Sequence, residues 1–261
     1  AEGPHTLNIE MLQNGGAIDC FVLTQEPFVP RGKLKPNENA GTAWPGWFAW
    51  EPPADPLEDD CPIDMRHLNE AFAGEHGFVR RDGEKFRRGD GEELRFWMLQ
   101  SGDIGALDQP LRDQAARRVA KYGFNLARLF CMGLFEAYAA GDKAKFADEL
   151  DKLHKTVAAY KKAGVYTFLG HLFWHTAVTV SKEHGFESFD KPGKPIVSIN
   201  VDPEFLTRFL EYLDLVLNAT NTYTGLPLSQ DPAVAFVEIQ NESGLLFWTF
   251  RPSELAPRDL M

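Results

Sequence analysis

Two adjacent residues near the end of this 261-residue chain, Asn241 and Glu242, have the types and spacing to do chemistry. They follow the run Phe236-Val237-Glu238-Ile239-Gln240, whose apolar content predicts a strand over 234–239. A carboxylate beside a carboxamide, held at a strand's C-terminal end, suits proton transfer to a leaving group. Such chemistry usually draws on a second carboxylate from elsewhere in the fold. Glu238 lies four residues before Glu242 and shares its strand face, and it reads as an inner-layer group rather than a catalytic one. Arg128 ends another apolar run, and His171, Trp174 and His175 follow a third. The imidazoles could bond hydroxyl groups. The indoles of Trp174 and Trp248 could stack on flat, weakly polar rings, although Trp248 fits a core position equally well. His171 and His175 also have a spacing that binds metal, but that spacing works on a helix carrying H-E-x-x-H, and here it follows a strand. Metal ligation by that pair stays open as an alternative, and no metal or other cofactor is otherwise expected.

The elements that would position these groups alternate along the chain. Phe78 to Arg87 reads as a hairpin turning at Asp82-Gly83, and 94–99 reads as a strand. Residues 110–122 have helical spacing, with Leu111, Ala115, Val119 and Tyr122 on one face. A strand follows over 124–130. A long helix spans 142–163, with Phe146, Leu150, Leu153, Val157 and Tyr160 as its apolar stripe and Gly164 ending it. After a strand over 165–169, Asp202-Pro203-Glu204 opens a helix that runs to about Asn218, with Asp202 as the N-cap. Repeated βα units predict a parallel sheet, either doubly wound or closed into a barrel. The stretch Gln100-Ser101-Gly102-Asp103-Ile104-Gly105 lacks the G-x-G-x-x-G order of a dinucleotide site, and no P-loop is present. Arg128, the His171–His175 segment and Asn241-Glu242 all follow strands, the end where barrel enzymes build their sites.

Composition narrows the partners. A net charge of -11 without a basic block argues against nucleic acid. No run of eighteen apolar residues predicts a membrane span, and no signal peptide is visible at the N-terminus. Cys20, Cys61 and Cys131 are far apart and form no metal motif. Residues 1–33 read as two β-strands around Asn14-Gly15-Gly16. Residues 34–77 are rich in Pro and Trp and read as a linker, and 78–261 holds the βα units.

The segments GDGEELRFW (89–97), RVAKYGFNLARL (118–129) and VEIQNE (237–242) resemble clan A glycoside hydrolases, nearest to family 5 and its cellulase-like members. The resemblance covers roughly 78–248. It implies a (β/α)8-type barrel and a retaining hydrolysis of β-linked polysaccharide or oligosaccharide. Glu242 would be the acid/base, Asn241 would contact the sugar 2-hydroxyl, and Arg128 would stand beside the nucleophile. His171, His175, Trp174 and Trp248 would bind carbohydrate. The family's nucleophile ends its seventh strand, and this sequence offers no match for it. The expectation is therefore the first four βα units of a barrel, truncated after the fourth strand. Residues 1–33 resemble the end of a carbohydrate-binding sandwich. The alternative to an enzyme is a non-catalytic carbohydrate-binding half-barrel. Exposed barrel edges would favour a homodimer, and the resemblance implies an extracellular or periplasmic protein.

Overall fold

The computed structural model describes residues 63–170, 178–195, 197–242 and 244, all within the unit that begins at Pro56. The strands expected over 1–33, most of the 34–77 linker, Cys20 and Cys61 lie outside the described residues. The stretch 63–77 is irregular yet tied to the βα units. The Met65 amide donates to the Lys121 carbonyl (2.9 Å), the Ala73 amide donates to the Lys161 carbonyl (2.8 Å), and Ala73 is fully buried.

The hairpin forms as expected. Strands β1 (Arg80–Asp82) and β2 (Lys85–Arg87) pair antiparallel around Gly83, whose φ of +60 needs a residue without a Cβ. The single strand expected over 94–99 is instead two. β3 (Glu93–Leu94) joins β2, and β4 (Met98–Gln100) belongs to a different, parallel sheet. The side chain of Asn125 makes the break. Its Nδ2 donates to the Arg95 carbonyl (2.7 Å) and its Oδ1 accepts from the Trp97 amide (2.8 Å). These bonds use backbone groups that an uninterrupted ladder would need.

The parallel sheet holds β4, β5 (Leu126–Phe130), β6 (Tyr166–Gly170) and β9 (Val234–Glu238), side by side in chain order. Sequential order separates the two architectures left open by the sequence. A doubly wound sheet reverses direction at a switch point, whereas a barrel adds each strand beside the last. The connections hold α1 (Gln109–Lys121), α2 (Met132–Ala139), α3 (Lys143–Lys162), α4 (Ser198–Val201) and α5 (Pro203–Asn218). A short antiparallel pair, β7 (Thr220–Asn221) and β8 (Leu226–Pro227), leads into β9.

Helices α1, α2, α3 and α5 share one buried cluster with Ala127, Leu129 and Leu169, so they cover one face of the sheet. The expected stripe of α3 is found, with Leu153, Val157 and Tyr160 buried and Phe146 and Leu150 packed at its margin. Asp142 caps it by accepting from the Lys145 amide (2.9 Å), and Gly164 follows its end at φ +74. Asp202 caps α5, accepting from the amides of Glu204 (3.0 Å) and Phe205 (3.2 Å). The stripe expected on α1 holds only in part. Ala116 and Ala120 are buried in the core and Val119 packs at its margin, while Leu111 and Tyr122 are exposed.

The other face of the sheet is aromatic at its N-terminal end. Phe96 meets Tyr166, Phe86 and Phe236 edge to face at centroid distances of 5.9, 5.7 and 5.2 Å, and Phe236 tilts against Phe168 at 5.5 Å. Phe86 comes from the hairpin, so β2 and β3 close that end. The arrangement is that of part of an α/β barrel, with helices outside and a filled lower interior.

Candidate active site

Arg128, expected just past a strand, is instead the middle residue of β5, so the alternation that sends Ala127 and Leu129 to the helices sends Arg128 inward. Glu238 is the last residue of β9, level with Gly170 at the end of β6. Across β6, one guanidinium nitrogen of Arg128, Nη2, donates to both Glu238 carboxylate oxygens (2.6 Å each) and to Asn241 Oδ1 (2.7 Å). Charge-assisted bonds of this length are the strong kind. The guanidinium carbon lies 4.6 Å from the Phe130 ring centre and 5.4 Å from that of Phe168. Two rings and a carboxylate thus fix the arginine in one orientation.

The strap passes over Gly170. A Cβ at that position would lie 2.9 Å from Glu238 Oε2 and 3.2 Å from Phe130 Cδ1. Asn241 is half-buried and held by Arg128, and Glu242 beside it is exposed. Glu242 has φ +53, in the left-handed region. A residue with a Cβ adopts that region at a cost of about 1–2 kcal/mol, and such conformations gather at functional sites.

Of the residues singled out in the sequence, the structure brings Arg128 and Asn241 into direct contact and sets Glu242 next in the chain. Arg128 was expected beside a nucleophile from a later strand; among the described residues its carboxylate partner is Glu238. That carboxylate was set aside as an inner-layer group, and its position four residues before Glu242 was the available signal. His171, Trp174, His175 and Trp248 lie outside the described residues, so the structure gives neither their sugar-binding role nor the metal alternative a position. Among the described residues, Glu70, Glu75 and His76 group their ligand atoms within 4.8 Å. Glu70 also accepts a bond from the Tyr166 hydroxyl at the start of β6, the opposite end of the sheet.

A cavity of about 330 Å³ opens between the segments following β4 and β5, lined by Gln100, Asp103, Phe130, Cys131, Met132 and Glu149 among others. Phe130 forms part of its wall and also faces Arg128. Asp103 is committed to local structure, accepting from the Gly105 amide (2.8 Å) and the Thr156 hydroxyl (3.2 Å). Burial pushes the Cys131 thiol up to about 12, so it stays protonated and is a poor nucleophile.

Comparison with known proteins bears on this geometry through the fold. No family model and no curated protein matches the chain. Among solved structures, the endo-1,4-beta-mannanase of Rhizomucor miehei is similar, with a TM-score of 0.52 at 19% sequence identity. The match covers 64% of this chain and 48% of the mannanase, so the chain spans about half that structure's length. The four-stranded parallel sheet with its helices therefore has the fold of part of an α/β barrel.

Proposed function

We propose that this chain carries half of a glycosidase active site, with Glu242 as the proton donor to the leaving group of a β-linked polysaccharide. One observation supports the reading most directly. Arg128 of the second parallel strand grips Asn241, the residue before Glu242, at the C-terminal end of the sheet. Barrel enzymes place their chemistry at that end. Asn241 would meet a sugar hydroxyl, and Glu242 would protonate the glycosidic oxygen and later activate water. Retention of configuration requires a nucleophilic carboxylate opposite Glu242, about 5–5.5 Å away. The described residues assign none, so that group would come from outside them. The mannanase likeness makes β-mannan a first substrate to try, beside β-glucans. A second copy pairing along β4 and β9, the edge strands of the described sheet, is part of the same proposal. Size-exclusion chromatography that finds a monomer at all concentrations would remove that part.

The test is hydrolysis of soluble mannan and β-glucans by the protein and by Glu242→Gln. Loss of at least about 100-fold in kcat with binding retained is the expected result for a missing general acid. Equal rates in both proteins would refute the assignment. Saturable sugar binding with no hydrolysis by either would favour the non-catalytic reading.

A further inference from the structure

Glu238 has no role in the chemistry just described, yet both of its carboxylate oxygens lie 2.6 Å from Arg128 Nη2, whose two N–H groups they share with Asn241 Oδ1. We propose that Glu238 is a positioning residue for Glu242, and that the absent side chain of Gly170 is what lets it act. The inference rests on the reading of Glu242 as the proton donor and deepens it.

The argument is geometric. Arg128 and Glu238 stand on strands separated by β6, and their bond must cross that strand. The crossing is at Gly170, where even a methyl group would approach Glu238 Oε2 to 2.9 Å. The φ of Gly170 lies outside the left-handed region, so its backbone does not demand glycine. A Cβ there would require the Glu238 carboxylate to shift from its seat on Arg128. With the carboxylate seated, the same nitrogen holds Asn241, three residues along the chain. The short segment 239–241 is thus pinned at both ends, by Glu238 and by Asn241. Glu242 leaves that segment at φ +53, a conformation that persists where surroundings over-determine it. Arg128 and Glu238 are each more than four-fifths buried, so solvent does little to weaken the pair.

A positioning carboxylate and a nucleophilic one make different predictions. Both Glu238 oxygens are engaged by the arginine, which suits holding. The experiment compares wild type with Glu238→Gln, Glu238→Ala and Gly170→Ala by amide hydrogen exchange at Asn241 and Glu242, followed by NMR. Exchange at both amides should be about 10-fold faster in all three variants while helix α3 is unchanged, since only the local opening is affected. Unchanged exchange in Glu238→Gln and Gly170→Ala would overturn the proposal. This arm needs no activity, so it stands apart from the enzyme reading. Where wild type hydrolyses a glycan, Glu238→Gln should lower kcat about 10–100-fold with KM within about twofold, the sign of lost transition-state alignment. Azide supplies the opposing test. If Glu238 were the nucleophile, azide would restore turnover to Glu238→Ala. Its nitrogen would bond the anomeric carbon as the glycosidic C–O bond breaks, and the departing oxygen would take the Glu242 proton. A glycosyl azide product would overturn the positioning role, and its absence supports it.

Discussion

The two faces of the parallel sheet are built from alternate residues of the same strands, and they are built differently. On the helix side, Ala127, Leu129 and Leu169 join Phe135, Phe205, Phe209 and Tyr212, all buried. On the other side, Phe168 and Phe236 are only partly buried, and above them Arg128, Glu238 and Asn241 form the polar strap. The first face chiefly removes apolar area from water. The second gives up some burial for a fixed set of polar groups. A residue's contribution to stability should therefore depend on which face of its strand it packs against, more than on which strand is near.

Phe135 offers the largest break in that comparison. Its ring lies 5.0 Å from Tyr212 and 5.9 Å from Phe209, and both partners come from α5. Phe135→Ala should cost about 3–5 kcal/mol, the usual range for deleting a fully buried aromatic ring. Urea denaturation measures this. The strap lies on the opposite face, so molecules that remain folded should keep wild-type amide exchange at Asn241. A loss under about 1 kcal/mol would mean that the helix layer is not the main source of stability.

Phe236 is the matching probe on the other face. Its contacts with Phe86 and Phe96 at 5.2 Å are as close as those of Phe135, yet it keeps partial exposure. Phe236→Ala should cost about 1–3 kcal/mol, because less apolar area was hidden from water. It should also disturb the strap, since Phe236 packs on Phe168 and Phe168 faces Arg128. Faster exchange at Asn241 in Phe236→Ala, with none in Phe135→Ala, would establish the division between faces. Equal stability losses in the two variants would erase it.

The helix layer was far more legible in the sequence than the inner face. Asp202-Pro203 and Asp142 announce helix starts by local bonds, and Gly164 announces a stop, so each can be read within four residues. The α3 stripe is likewise a local period. The α1 face misled because Leu111 and Tyr122 are large while the buried contacts belong to Ala116 and Ala120. Size-weighted periodicity points the wrong way where a helix packs through its smallest residues. Helix α2 (MGLFEAYA) has apolar residues around much of its surface and no capping side chain, so neither period nor punctuation marked it. The split between β3 and β4 depends on Asn125, thirty residues beyond Arg95. The site followed the same rule. Asn241 and Glu242 are neighbours and were found as a pair. Arg128 was found by its likeness to a family, and its bond to Glu238 spans 110 positions. No local pattern encodes such a pairing, and Gly170, which permits it, is one unremarked glycine among 22.

His154 gives the finest probe, because it puts an ionisable ring among the apolar residues of the helix layer. It lies on α3, is 6% exposed, and its carbonyl accepts from Asn221 Nδ2 at 3.0 Å. Burial holds its pKa below the ordinary histidine value, and the nearby Asp151 carboxylate only partly opposes this. The unfolded chain protonates that ring near pH 6.5 while the folded chain does not, so the unfolded state binds more protons below that point. The stability contributed by the neutral ring is thus complete above about pH 6.5 and is lost as pH falls toward the folded-state value. The added slope is bounded by one proton, about 1.4 kcal/mol per pH unit. His154→Gln should flatten the fall in stability between about pH 7.5 and pH 5, leaving exchange at Asn241 as in wild type. An unchanged slope would mean that this ring admits a proton without cost, and that the helix face tolerates charge as readily as the face bearing the strap.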